Sequence, residues 1–168
     1  MGEMESAGTE QNRANTSYDD PEAPWNRKFT EEEFAGWNNG VIAEFRTNDG
    51  KVGGDYKEAT LLLLTTTGAK SGKQHVVPLG AAYRDTTLYL SSFIEGRYPA
   101  WVHNIRATPQ VTVELGDKTY QATGRVLEGA EYNEFAAWIT VHNPFLAAHQ
   151  AKVERPVPLV VLILGDEV

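Results

Sequence analysis

The sequence predicts an α+β domain in which about six mainly antiparallel strands form a small barrel with packed helices. Strand-like apolar runs occur in pairs joined by two-residue turns, a pattern typical of hairpins. Two longer segments carry apolar residues at helical spacing. A continuous apolar run near the C-terminus, Val157 to Leu164, would supply the strand that closes the sheet.

The first helical segment begins at a capping box formed by Thr30 and Glu33 and ends at Asn48-Asp49-Gly50. Its apolar positions recur at helical spacing: Phe34, Trp37, Val41 and Phe45. We interpret this stripe as the core-facing side of a helix, in preference to an aromatic box for a cofactor. Two further helices are predicted, a short one from Pro99 to Arg106 and a longer one from Glu131 to His142.

The strands follow from short apolar or alternating runs bounded by glycine, proline and polar residues. Leu61 to Thr67 is too short for a helix and indicates a buried strand. The two predicted hairpins are Val76 to Arg84 with Thr87 to Ser92, and Val111 to Leu115 with Thr119 to Val126. Because proline lacks an N–H, Pro78 should mark an edge or a bulge.

Charge and composition divide the chain into a tail and a body. Residues 1–24 are acidic and poor in large apolar residues, which predicts a disordered tail before a single domain at 25–168. Residues 1–33 hold nine of the 23 acidic and three of the 15 basic residues, so the rest of the chain is almost neutral. The net charge of −8 argues against a nucleic-acid partner but is compatible with a local basic pocket.

Several classes of chemistry are excluded by residue content. The chain has no cysteine, so it can form no disulfide, thiolate nucleophile or cysteine-based metal centre. His142 and His149 lack a carboxylate at metal-site spacing, and we predict no metal site. No apolar segment reaches the roughly 18 residues of a membrane span, and the N-terminus lacks a signal-peptide pattern. We therefore expect no stable membrane insertion and a cytoplasmic location.

The most concentrated chemistry lies in the loop from Gly68 to His75. Two glycines, a serine and two lysines can offer backbone N–H groups and positive charge to a phosphate or a carboxylate. A nucleotide P-loop is excluded, because only three residues separate Gly68 from Gly72 and Gln74 follows Lys73. From the residues alone, a plain solvated hairpin loop is the favoured interpretation.

Four motifs together resemble the deazaflavin-dependent nitroreductase family, whose members use reduced coenzyme F420. They are Asn48 to Gly54 (NDGKVGG), Leu62 to Gly72 (LLLTTTGAKSG), Pro78-Leu79, and Pro99-Ala100-Trp101 with Asn104 and Pro109. The resemblance covers about Phe34 to Val168. It implies a split β-barrel, related to the flavin mononucleotide-binding split barrels, that holds coenzyme F420 as hydride donor. Phosphate binding to the Gly68 loop then outranks the plain hairpin.

The resemblance also implies which residues bind the cofactor. Lys70 and Ser71 match positions that hold its phosphate and acidic tail, and the strand segments match the bed of the deazaflavin ring. The full set is Ala69, Lys70, Ser71, Gly72, His75, Val76, Val77, Pro78, Leu79, Gly80, Tyr89, Leu90, Ser91, Ser92, Ala100, Trp101, Val102, His103 and Asn104. For Trp101, core packing is an equal alternative.

The chain differs from the family pattern at several positions. His75 stands where the family usually has arginine, and Ser92 stands where it has lysine. We expect Lys73 and Arg97 to compensate for the altered charge. The stretch that matches the substrate-lining tyrosines is Asn143 to His149, which contains no tyrosine.

Hydride transfer from the reduced deazaflavin would suit an electron-poor conjugated acceptor, such as an enone, an unsaturated lactone, a quinone or a nitroaromatic. We expect Leu146 and His149 to line the substrate site, with His149 as catalytic proton donor, since histidine titrates near neutrality.

Two other functions stay open at this point: an FMN-dependent oxidoreductase on the same barrel, and a non-catalytic deazaflavin-binding or carrier protein. In each case the partner is a small molecule, and a homodimer is possible for a barrel of this type.

Overall fold

The structure is a computed structural model that describes residues 31–52, 60–92 and 98–168, with side chains from residue 36 onward in the first range. The predicted tail, the Thr30 cap, Gly53-Gly54 and Arg97 lie outside these residues. The elements, in order, are α1 (Glu31–Thr47), β1 (Thr60–Thr67), β2 (Gln74–Arg84), β3 (Thr87–Leu90), α2 (Ala100–Ala107), β4 (Gln110–Leu115), β5 (Lys118–Val126), α3 (Gly129–His142), α4 (Pro144–Gln150) and β6 (Val160–Glu167).

The strands close into a barrel in the order β1-β2-β3-β6-β5-β4, and every neighbouring pair is antiparallel. This confirms the predicted fold class. β6 joins β3 to β5 and so closes the barrel, as predicted, but it begins at Val160 rather than Val157. The difference arises because the Val157 N–H donates to Gln150 Oε1 at 2.7 Å, in the link from α4 to the strand.

The interior of the barrel is filled by side chains that alternate along the strands. Leu62, Leu64, Leu88, Leu90, Val160 and Leu162 belong to one buried cluster. α2 connects β3 to β4 at the end of the barrel where the loop between β1 and β2 lies. From that end its residues join the same buried cluster. A Cβ on Gly124 would lie 3.1 Å from the Ile105 side chain, so this glycine makes room for α2.

Helices cover two regions of the outer face. Val41 and Phe45 of α1 pack on Leu61 and Leu63 of β1. On another side, α3 and α4 pack over Tyr89, Leu159 and Val161 through Phe135, Ile139 and Leu146. The strand residues therefore alternate between the barrel core and two outer cores.

The turns and helix ends agree with the sequence predictions. Asp85 and Gly116 adopt positive φ values of 54° and 62° in the two hairpin turns. α1 ends at Thr47, and the turn after it reaches Gly50, whose φ is 92° and whose N–H donates to Phe45 O at 2.8 Å. Three helices are predicted from the sequence, whereas the described residues form four, because α4 was not identified as a helix.

Pro78 lies on an edge-like stretch of β2, as predicted. It pairs with Leu63 of β1 in a continuous register. On its other side, β3 pairs only with Ala81 to Arg84. Among the described residues, the first part of β2 therefore has a strand neighbour on one side only.

Candidate active site

The Gly68 to Lys73 loop is closed on itself by main-chain hydrogen bonds. The Gly68 N–H donates to Lys73 O at 2.7 Å, and the Gly72 N–H donates to Gly68 O at 3.0 Å. Ser71 Oγ accepts from the Lys73 N–H at 3.1 Å. Gly72 has a φ of 71°, which favours glycine. The loop thus has a defined shape before any ligand is considered.

Asn104 holds this loop to α2. Its side chain is buried, with 6% exposed, and its Oδ1 accepts from the Ala69 N–H at 3.0 Å. Its Nδ2 donates to Oγ1 of the buried Thr66 at 3.0 Å. Asn104 was predicted to bind the cofactor. Because its side-chain oxygen and nitrogen both form hydrogen bonds within the protein, it instead holds the loop in place.

The outer side of the loop is exposed and carries positive charge. Lys70, Ser71, Lys73 and His75 are all exposed. No ion pair within the described part of the chain involves either lysine. A Cβ on Gly68 would lie 2.5 Å from Ser71 Oγ and 3.0 Å from His75 Nε2, so these side chains crowd around the glycine. An anionic group is the ligand that such a surface favours.

Beyond the loop, Val76, Pro78 and Gly80 form a strip on the outer face of β2, because Val77 and Leu79 pack against the barrel core. Val76 itself packs against the cluster formed by α1 and β1. No atom lies within 4 Å of a Cβ built on Gly80. The last pair between β2 and β3 joins Ala81 to Leu90, and Gly80 and Ser91 each lie one residue beyond it. Ser91 Oγ is buried and makes no hydrogen bond within the described part of the chain.

Four of the predicted cofactor residues have their side chains in the hydrophobic cores. Leu90 and Val102 are fully buried in the barrel, and Trp101 is 6% exposed there. Tyr89 packs under α3 and α4. For these residues only main-chain atoms are available to a ligand. The side chain of Trp101 packs in the barrel core, which is the alternative that the sequence left open for it. Ala100 and His103 are exposed on α2, and Ser92 is half-buried.

α4 carries the two predicted substrate residues on one face. Leu146 and His149, spaced three apart on the helix, are 6% and 5% exposed. Burial lowers the pKa of His149, so its imidazole is neutral at neutral pH. The helix begins at Asn143, whose Oδ1 accepts from the Leu146 N–H at 3.1 Å. An N-cap asparagine followed by Pro144 is the sequence signal that would have identified α4.

Thr66 and Asn143 were not among the predicted site residues. Each makes hydrogen bonds that hold the parts of the site in place. The partner of Thr66 is distant in sequence, and no local pattern marks it.

The closed barrel and its exposed, positively charged loop are features of a protein that binds an anionic small molecule. Residues 37–163 match the model of the F420H(2)-dependent quinone reductase family, and the chain belongs to this family. An F420H(2)-dependent quinone reductase of Mycobacterium tuberculosis is 32% identical over 128 residues, covering 71% of this chain and 85% of the relative.

Two solved structures are also similar. One, described as an F420-H2 dependent reductase, is 34% identical, with a TM-score of 0.50 and coverage of 61% of this chain and 93% of that one. Another, described as a domain-swapped dimer, is 30% identical, with a TM-score of 0.54 and coverage of 79% and 99%.

The protein is thus an F420H2-dependent reductase that passes a hydride to an electron-poor acceptor. The FMN and carrier alternatives find no support in these matches. None of the described helices has the length and apolar character needed to cross a membrane.

Proposed function

We propose that the protein reduces quinones to hydroquinones, with the deazaflavin on the outer strip of β2 and the quinone between it and α4. The observation that carries this placement is the buried, unpaired Ser91 hydroxyl beside the open position at Gly80. A buried polar atom without a partner costs free energy, which a ligand that pairs with it would recover.

The loop would hold the anionic part of the cofactor. Lys70 and Lys73 supply positive charge, and Ser71 and main-chain N–H groups supply hydrogen bonds. His75, next to Gly68, would donate a further hydrogen bond from its ring. The two lysines would therefore supply the positive charge that an arginine usually supplies in the family at the position of His75.

The strip of β2 would accept a flat ring. Val76 and Pro78 offer apolar contact, Gly80 allows close approach to the backbone, and the Ser91 hydroxyl can pair with a polar atom at the edge of a ring. When bound, the reduced deazaflavin supplies the hydride. The task of the chain is to hold the acceptor in line and to exclude water from it.

α4 would form the substrate side of the site. Leu146 is 6% exposed and packs in the outer core, so it would shape the substrate side by holding α4 against the barrel. We assign His149 as a neutral hydrogen-bond donor to a quinone carbonyl oxygen, because its lowered pKa makes an imidazolium acid scarce at neutral pH. The quinone gains one hydride and one proton, and water supplies the proton.

The test is oxidation of F420H2 by menadione, together with a fluorescence titration of F420, using the wild type and Lys70→Ala. We expect turnover by the wild type and a loss of about fivefold to tenfold in F420 affinity in the variant, which shrinks as salt rises. Lys118→Ala is the matched control, since Lys118 is also exposed but lies at the β4–β5 turn, 3.5 Å from Glu167. Tighter binding of FMN than of F420, or no turnover with any quinone, would contradict the proposal.

A homodimer and a cytoplasmic location stay predictions. The dimer is supported by the relative described as a domain-swapped dimer. Light scattering during gel filtration tests it, and a mass of about 18.6 kDa would contradict it.

A further inference from the structure

Asn143 joins α3, α4 and the barrel at one point. Its N–H donates to Ile139 O at 2.8 Å, and its main-chain oxygen accepts from the Ala147 N–H at 3.0 Å. Its side-chain oxygen accepts from the Leu146 N–H, which fixes the orientation of the amide. The side-chain nitrogen therefore points the other way and donates to Tyr89 Oη at 2.8 Å.

Tyr89 is a rigid partner for this amide. It lies on β3, is 3% exposed, and makes edge contacts with Phe135 and Trp138 at centroid distances of 5.1 and 6.0 Å. Burial raises the pKa of its phenol, so the group is neutral. The phenol oxygen of Tyr89, fixed on a barrel strand, thus accepts a hydrogen bond from Asn143, the residue that also caps the start of α4.

The C-terminal end of α4 is held separately, because Gln150 Oε1 accepts from the Val157 N–H at 2.7 Å. Other ties of the helical layer lie on α3. Arg84 forms a two-bond ion pair with Glu134 at 2.8 and 2.7 Å, and Arg125 pairs with Glu131. Both pairs hold the first half of α3. The hydrogen bond between Tyr89 and Asn143 instead lies where α3 ends and α4 begins.

We propose that Tyr89 is a positioning residue for the reaction: through Asn143 it fixes α4, and with it Leu146 and His149, relative to β3. This inference rests on the proposed placement of the substrate beside α4. Tyr89 packs on the outer side of β3, and Ser91 follows Leu90, the last residue of that strand. The hydroxyl assigned to the ring and the phenol that sets the substrate helix therefore lie two residues apart in the chain.

The test uses Tyr89→Phe, which removes the phenol oxygen and keeps the ring. Asn143→Asp provides a second route, since it keeps the oxygen that caps α4 and loses the donor to Tyr89. Tyr132→Phe is the matched control: its phenol donates to Val157 O at 2.6 Å, and burial raises its pKa to about 12. It removes a comparable hydrogen bond at the other end of α3.

We expect the KM for menadione to rise about fivefold in Tyr89→Phe and in Asn143→Asp, the effect of losing one hydrogen bond, with no further rise in the double variant. The F420 affinity and the menadione KM of Tyr132→Phe should stay near wild type. Independently of activity, hydrogen exchange of the amides in α4 should speed up in Tyr89→Phe, while the first half of α3 is unchanged.

Unchanged exchange in α4 would overturn the inference, as would a menadione KM that responds equally to Tyr132→Phe. If the wild type binds F420 but reduces no quinone, the proposed function fails, and the exchange result decides whether Tyr89 positions α4. Loss of F420 binding in Tyr89→Phe would overturn the inference in favour of a direct role at the cofactor.

Discussion

Asn104 and Ala69 lie 35 positions apart in the sequence, and the Asn104 Oδ1 accepts the Ala69 N–H at 3.0 Å. The same amide donates to Thr66 Oγ1. The shape of the Gly68 to Lys73 loop is therefore set partly from α2, which closes one end of the barrel. An amide suits this position because the site requires one acceptor and one donor in a single side chain.

Asn104→Leu should weaken both folding and cofactor binding. It leaves the Ala69 N–H and the Thr66 hydroxyl without their partner, and an unsatisfied buried group costs about 1–3 kcal/mol. We expect the free energy of unfolding in urea to fall by about that amount and F420 affinity to fall with it. Asn39→Leu, on the exposed side of α1, is the control. An unchanged affinity would show that the loop keeps its shape without Asn104.

Gly80→Val should separate binding from stability. No atom lies within 4 Å of a Cβ at Gly80, and valine suits a strand, so the variant should fold with an unchanged Tm. Its side chain would occupy the strip assigned to the ring, and we expect about a tenfold loss of F420 affinity, equal to about 1.4 kcal/mol. Gly36→Ala, also in open space but on α1, should bind normally. Normal binding by Gly80→Val would place the ring elsewhere.

Ser91→Ala should move stability and affinity in opposite directions. The Ser91 hydroxyl is buried without a partner, so its removal should leave Tm equal or higher. If the hydroxyl pairs with the bound deazaflavin, F420 affinity should fall by about fivefold. A parallel fall in Tm and affinity, measured by calorimetry and fluorescence, would show that the hydroxyl has a partner within the fold.

The buried His149 should make stability depend on pH in the acid range. Its folded pKa is lowered from the ordinary value of 6.5, so the unfolded chain binds the proton more readily. The free energy of unfolding should therefore fall as pH drops below about 6.5. Above that pH, the contribution of His149 to the free energy of unfolding should be constant. Urea titrations at several pH values should show a weaker dependence in His149→Gln than in the wild type. An identical pH profile for His149→Gln and wild type would contradict this.

Local sequence signals were sufficient for most of the barrel. The turns at Asp85 and Gly116 and the apolar run of β1 each specify their structure over a few residues, and the structure confirms them. α4 could not be obtained from periodicity, because seven residues give too few turns to show one. The N-cap Asn143 and the proline after it were visible in the sequence, but two residues are a weak signal for a helix.

The arrangement of the site depends on contacts between distant segments. The glycines and lysines alone favoured a plain hairpin loop, and the family resemblance pointed to anion binding. Neither indicated that Asn104 holds the loop. Likewise, Tyr89 resembles a ring-binding position in sequence, and only the packing of α3 and α4 shows that its phenol contacts Asn143. The sequence predicts that side chains alternate between the two faces of β3. It does not predict which helix covers the outer face.

The barrel interior is filled by residues such as Leu62, Leu90 and Ile105, so it offers no room for a ligand, and the chemistry is left to the outer surface. Interior and surface use alternate positions of the same strands. Exposed side chains on the outer surface can therefore be exchanged without disturbing the packing that holds the strands together. A site on that surface can change its substrate preference while the barrel stays the same.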